Sequence, residues 1–130
     1  MNNIHTHLTW WKKAIGYIIY PSTFKDGNND GIGDLQGIIS KLDYLKKLGV
    51  DLLWICPFFK SPLDDNGYDV SDYLQVDPRF GTNEEFDLLI KEAHTRGIRI
   101  VIDFVLNHTS DEHPWFVEAR NNPVSPKRDY

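Results

Sequence analysis

The segment Asp26-Gly27-Asn28-Asn29-Asp30-Gly31-Ile32-Gly33-Asp34 carries oxygen side chains at alternate positions 1, 3 and 5. A glycine at position 6 suits a sharp turn. Ile32 at position 7 can offer a backbone carbonyl, and position 9 is another aspartate. This is the first three-quarters of an EF-hand-like cation loop. Its twelfth position is Gly37 and not the usual bidentate glutamate, so it is not an EF-hand and Asp34 must close the site. Calcium takes six to eight oxygens, and three carboxylates, one amide and one carbonyl nearly supply them. The expected ligands are therefore Asp26, Asn28, Asp30, the Ile32 carbonyl and Asp34, with a structural role. The alternative is a solvated Asx turn.

A second cluster is Asp64-Asp65-Asn66-Gly67-Tyr68-Asp69, followed by Asp72 and Tyr73. Asn66-Gly67 is a tight-turn dipeptide that presents Asp65 and Tyr68 on either side of the bend. A carboxylate beside an aromatic plane can hold a sugar: the carboxylate accepts hydroxyl hydrogen bonds and the ring packs on the C–H face. The alternative is a solvated turn. A third cluster runs Asp103-Phe104-Val105-Leu106-Asn107-His108-Thr109-Ser110. Asp103 lies near the end of an apolar run, where burying a charge is costly unless it is paired. His108 could serve as an acid, a ligand or a hydrogen-bond donor. Cys56 has no neighbouring histidine or second cysteine and reads as a small buried residue. His5 and His7 read as part of a frayed tail, and Trp10 and Trp11 as packing against the domain.

The elements that must position these groups follow from periodicity. Ala14–Tyr20 is a β-branched and aromatic run ended by Pro21. A helix is expected from Asp34 to Leu48, with Leu35, Ile38, Ile39, Leu42, Leu45 and Leu48 on one face and Gly49 closing it. Val50–Cys56 reads as a second strand, and 57–81 as a long ordered loop. Thr82 and Glu85 form a capping box for a helix ending near Gly97. Ile98–Leu106 reads as a third strand, Pro114–Arg120 as a short helix and 121–127 as an irregular connection. Alternating strands and amphipathic helices imply an α/β fold of parallel units with both sheet faces covered. An open doubly wound sheet and a closed (β/α)₈ barrel both fit. No G-x-G-x-x-G motif or P-loop follows a strand.

Composition narrows the partners. The chain has 130 residues, 14 basic and 19 acidic, and a net charge of -5, which argues against nonspecific binding to nucleic acid or anionic lipid. No apolar run is long enough for a transmembrane helix, so no membrane association is expected. The single cysteine excludes an internal disulfide. The polar start, Met1–Thr9, lacks the pattern of a secretory signal, so the cytoplasm is the expected location.

Taken together these residues resemble the α-amylase superfamily of glycoside hydrolases, and within it the oligo-1,6-glucosidase and α-glucosidase group. The resemblance rests on Trp10-Trp11-Lys12, Tyr17–Pro21, Asp26–Leu35, Leu42–Leu45, Leu48–Asp51 and Trp54–Pro57. It continues through Asn66–Tyr73, Phe80–Thr82, Asp103–His113 and Trp115-Phe116. The chain departs from the group's usual pattern at Ile18, where glutamine is common, at Ser22, where a basic residue is common, and at Cys56, where serine or threonine is usual.

The resemblance implies that residues 1–130 are the N-terminal segment of a catalytic (β/α)₈ TIM barrel, about three strands and two helices, stopping in the excursion after the third strand. It implies a structural calcium or magnesium ion on the Asp26–Asp34 loop. Asp65 would bind sugar hydroxyls and Tyr68 would stack on the nonreducing glucose. His108 would bond a hydroxyl of the same glucose, and Asp103 would organise the site from behind. The implied reaction is retaining hydrolysis of terminal α-linked glucose from an α-glucosidic oligosaccharide, as part of carbohydrate metabolism. The family's nucleophile, acid/base and stabilising carboxylates follow later strands, so none is expected before Tyr130 and this segment alone is expected to be inactive. The alternatives are a segment of a trehalose synthase or trehalose-6-phosphate hydrolase, or a noncatalytic calcium- or carbohydrate-binding half-barrel.

Overall fold

The computed structural model describes residues 9–130; His5 and His7 lie outside the described residues. Three short strands, β1 (Gly16–Ile19), β2 (Leu52–Ile55) and β5 (Arg99–Ile102), form a parallel sheet in the order β1-β2-β5. Ile19, Ile55 and Ile102 stand in register, as do Ile18, Trp54 and Val101. Helices α2 (Leu35–Ser40), α3 (Leu42–Lys47) and α4 (Asn83–Thr95) supply the connections. Their inner residues Leu35, Ile38, Leu42, Leu45, Leu89 and Ala93 join Ile19, Leu53 and Ile55 in one buried core.

The expected helix over 34–48 is two helices. Lys41 sits between them at φ -105° and ψ 2°. The Ser40 hydroxyl donates to the Gly37 carbonyl at 2.6 Å, offering the backbone a local alternative to the helical ladder. The new direction turns Leu48 outward, against the expected apolar face. Gly37 is required for packing: a Cβ there would stand 1.8 Å from the Lys25 carbonyl oxygen. The capping box at α4 is present, with Thr82 and Glu85 bonding each other's backbone N–H groups.

The stretch 57–81 is not a simple loop. It holds β3 (Phe59–Lys60) paired antiparallel with β4 (Asp72–Val76). A one-turn helix, α1 (Pro21–Phe24), follows β1, and α5 (Pro114–Asn121) occupies the expected place. A 3₁₀ turn at Pro126–Asp129 extends into the stretch expected to be irregular. The third parallel strand is shorter than expected. Its last rung is the Asp103 N–H to the Ile55 carbonyl at 2.9 Å, after which the chain leaves the sheet.

The expectation that both sheet faces are covered is also corrected. The helices cover one face. On the other, Ile18, Trp54 and Val101 are 59%, 43% and 40% exposed. In a (β/α)₈ barrel that face is the interior, filled by side chains of all the strands together. At the opposite end, the Arg99 guanidinium lies 3.9 Å over the Trp10 ring, which fastens the N-terminal turn to the sheet. No helix among the described residues is long and apolar enough to cross a membrane.

Candidate sugar-binding wall and cation loop

The carboxyl ends of the parallel strands gather the second and third clusters. Asp65 to Tyr68 form a tight turn: the Tyr68 N–H donates to the Asp65 carbonyl at 3.0 Å, and Asn66 and Gly67 both have positive φ, 53° and 97°. The turn aims the Tyr68 hydroxyl at Asp103, where it donates to Oδ2 at 2.7 Å. That bond, with burial and the Asp103 charge, pushes the Tyr68 phenol well above its ordinary range. Tyr68 stays a neutral donor to Asp103.

His108 joins the same cluster from the segment after β5. Its Nε2 lies 3.0 Å from the Tyr68 carbonyl, and its Nδ1 lies 3.2 Å from Asn107 Nδ2. With Asn107 donating to Nδ1, Nε2 carries the proton and donates to Tyr68. Asp65 stands exposed at the turn, and its carboxylate has no hydrogen bond or ion pair among the described residues. The structure therefore brings Asp103 and His108 each into contact with Tyr68, at its hydroxyl and its carbonyl, and leaves Asp65 at the edge.

Sequence reasoning assigned no role to the residues that hold this wall. The Tyr73 hydroxyl lies 2.8 Å from the Val105 carbonyl and 2.7 Å from the His108 carbonyl, sharing one proton between them. Asp69 accepts from the Ser61 hydroxyl at 2.7 Å and the Asp64 N–H at 2.9 Å. Below it, the buried Asp77 accepts from Arg79 Nε at 2.7 Å and Nη2 at 2.6 Å. Arg79 also reaches the Ser61 carbonyl, so one latch secures both ends of the loop. The only available signal was the pair of carboxylates flanking Arg79 and the turn, and it does not name their partners. Beside the wall, Phe104, Leu106, Trp115, Phe116 and Tyr130 line an open groove of about 940 Å³.

The cation loop sits apart, between α1 and α2. Asp26 Oδ1 accepts from the Asn28 and Asn29 N–H groups, and Oδ2 accepts from the Gly31 N–H at 2.8 Å. Gly31, at position 6, takes φ 94°. Asn28 Nδ2 donates to Asp30 Oδ2 at 3.0 Å. The Asn28 and Asp30 side chains are thus drawn together, Asp26 holds the backbone of the same turn, and the oxygens keep lone pairs beyond those used. Asp34 is nearly buried, caps α2 through the Gly37 N–H at 2.6 Å and holds the Gly27 N–H at 3.2 Å. Among the described residues no three His, Cys, Asp or Glu side chains group as a metal cluster. Asp26, Asp30 and Asp34 therefore do not converge on one point in this structure, while the residue types, an amide and a carbonyl beside carboxylates, are those that suit a hard divalent cation.

Parallel strands joined by helices, with polar residues gathered at their carboxyl ends, define an α/β chain built as the first part of a (β/α)₈ barrel. The alpha-amylase catalytic domain matches residues 18–130, and the chain belongs to that family. It is 62% identical over 121 residues to an oligo-1,6-glucosidase of Heyndrickxia coagulans, covering 93% of this chain and 22% of that protein. A solved isomaltulose synthase from Klebsiella sp. LX3 is 55% identical with a TM-score of 0.91, covering 93% of this chain and 22% of its own. A solved Bacillus licheniformis trehalose-6-phosphate hydrolase is 50% identical with a TM-score of 0.91 at the same coverages. The chain spans about a fifth of the length of these relatives.

Proposed function

We propose that this chain is the N-terminal segment of the catalytic barrel of a retaining α-glucosidase, which hydrolyses terminal α-linked glucose from oligosaccharides. The observation that carries this reading is the Tyr68–Asp103–His108 cluster at the carboxyl ends of the strands, in a chain with 62% identity to an oligo-1,6-glucosidase. Tyr68 presents a neutral ring as a platform for the terminal glucose. Asp103 holds that ring from behind. Asp65, at the edge of the wall, accepts hydrogen bonds from sugar hydroxyls, and His108 bonds one of them when its Nε2–H turns from the Tyr68 carbonyl to the sugar.

Retaining hydrolysis needs two carboxyl groups roughly 5–5.5 Å apart, one nucleophile and one acid/base. We assign neither to this chain: Asp103 is engaged by Tyr68, and Asp69 by Ser61 and Asp64. These 130 residues bind and orient, and the segment alone is inactive. Asp26, Asn28, Asp30, the Ile32 carbonyl and Asp34 would hold calcium or magnesium, whose charge would neutralise the three carboxylates and stiffen the loop ahead of α2.

A trehalose-6-phosphate hydrolase is the second reading, supported by the 50% identity to the Bacillus licheniformis enzyme. The test is hydrolysis by the full-length protein of isomaltose, maltose, sucrose and trehalose 6-phosphate. Release of glucose from isomaltose or maltose with retained configuration is expected. Turnover of trehalose 6-phosphate alone would replace the first reading with the second, and turnover of none would overturn both.

A further inference from the structure

Residues 104–109 carry His108 away from the sheet with little to hold them. Before them the Asp103 N–H donates to the Ile55 carbonyl at 2.9 Å, and after them the Ser110 N–H donates to the Val70 carbonyl at 2.9 Å. Between these two rungs, among the described residues, no backbone–backbone hydrogen bond ties the stretch down. Its main chain is held instead by one side chain. The Tyr73 hydroxyl bridges the Val105 and His108 carbonyls, at 2.8 Å and 2.7 Å. Val105 is buried, where a carbonyl left without a donor is costly.

Tyr73 is itself fixed by what surrounds it. It stands on β4, which pairs with β3. Its ring meets Phe104 edge-on at 5.7 Å and lies 6.3 Å from the Phe59 ring and 5.8 Å from that of His113. His113 is buried and accepts the Trp115 N–H at 3.1 Å, which caps α5. A hydroxyl on a ring packed this way loses little rotamer freedom when it bonds. His108 is thus gripped at both ends from the one stretch 57–81: Tyr73 bonds its carbonyl, and the Tyr68 carbonyl lies 3.0 Å from its Nε2. When the imidazole turns from Tyr68 to a sugar, the Tyr73 bond still fixes the main chain beneath it.

We propose that Tyr73 is a positioning residue for sugar binding: its hydroxyl fixes the main chain at Val105 and His108 and so sets where the His108 imidazole stands beside Tyr68. Tyr73 acts on the sugar only through His108. This deepens the proposed function and rests on His108 bonding a sugar hydroxyl. A bond made equally before and during bond breaking sets KM and leaves kcat nearly unchanged.

The test is steady-state hydrolysis of p-nitrophenyl α-glucoside by the full-length protein, by Tyr73→Phe, by His108→Ala and by the double variant. Tyr73→Phe removes the hydroxyl and keeps the ring among Phe59, Phe104 and His113. It is expected to raise KM about 3- to 10-fold, the net worth of one hydrogen bond, with kcat within about twofold of wild type. With His108 already removed, the same change should move KM by less than about 1.5-fold, because two groups acting through one contact are not additive. A purely structural role would raise KM by the same factor in both backgrounds. That result, or a wild-type KM in Tyr73→Phe, overturns the proposal. If the wild-type protein turns over no α-glucoside, or His108→Ala keeps the wild-type KM, the sugar reading fails separately. The placement of His108 is then read from a crystal structure of Tyr73→Phe. His108 Nε2 more than about 3.5 Å from the Tyr68 carbonyl supports the role of Tyr73, and an Nε2 still within that distance overturns it.

Discussion

Arg79→Ala tests how the loop carrying Tyr68 is held. The Asp77 side chain is 2% exposed and that of Arg79 is 40% exposed. Asp77 accepts from Arg79 Nε, Nη2 and N–H and from the Ser61 N–H at 3.3 Å. Burial raises its pKa, but the hydrogen bonds from Arg79 and Ser61 outweigh burial and hold the carboxyl below its ordinary range. Without the guanidinium, a buried carboxylate is left with two backbone donors. Breaking a fully buried pair costs about 3–5 kcal/mol, and an exposed pair is worth about 0–1 kcal/mol. Arg79 is between these limits, because water can take part of its place, and a loss of about 2 kcal/mol is expected. Urea unfolding of wild type, Arg79→Ala, Asp77→Asn and the double variant measures it. The double variant should lose about 1 kcal/mol less than the sum of the singles. Acid dependence has a definite sign. The folded Asp77 pKa lies below its unfolded value, so the stabilisation is fully present above about pH 3.9 and is lost as pH falls through the folded value. Arg79→Ala should move that loss to higher pH. An Arg79→Ala variant within about 0.5 kcal/mol of wild type, or strict additivity in the cycle, would refute this reasoning.

Three further outcomes are expected. Tyr68→Phe removes a bond to a carboxylate and should cost about 1.5 kcal/mol at neutral pH. The raised Tyr68 pKa contributes stability that is fully present below about pH 10 and is lost as pH rises through the folded value, so the gap between the urea midpoints of wild type and Tyr68→Phe should be full at pH 8 and narrow progressively above pH 10. Gly37→Ala places a Cβ 1.8 Å from a backbone oxygen that cannot swing aside, and should cost about 3 kcal/mol or more, read as a fall in thermal midpoint. Calcium should raise the thermal midpoint of the EDTA-treated protein in a saturable way, and Asp26→Asn with Asp30→Asn should abolish the rise; a midpoint indifferent to calcium and magnesium would remove the cation from the proposal.

Much of the fold was legible before any coordinates. Strand and helix order followed from apolar periodicity, which depends on neighbours two to four residues apart. The Thr82–Glu85 capping box, the Asp34 cap and the Asn66-Gly67 turn are equally local, and all three are present. The sugar-wall candidates were legible as residue types, but not their contacts.

What remained belonged to tertiary structure. The break at Lys41 arises where Ser40 competes for a helical carbonyl and Gly37 packs against Lys25, and neither was visible in a continuous apolar stripe. The β3–β4 pair depends on partners Phe59 and Val76, which only the folded loop brings together. Tyr68 meets Asp103 across 35 residues, and the Ile19–Ile55–Ile102 row exists only once three strands share a register. Local pattern decides which element a segment becomes, because backbone hydrogen bonding and side-chain alternation are short-range. Register, the choice of covered face and the pairing of distant polar groups are set by how the elements pack, and those contacts make this wall a site.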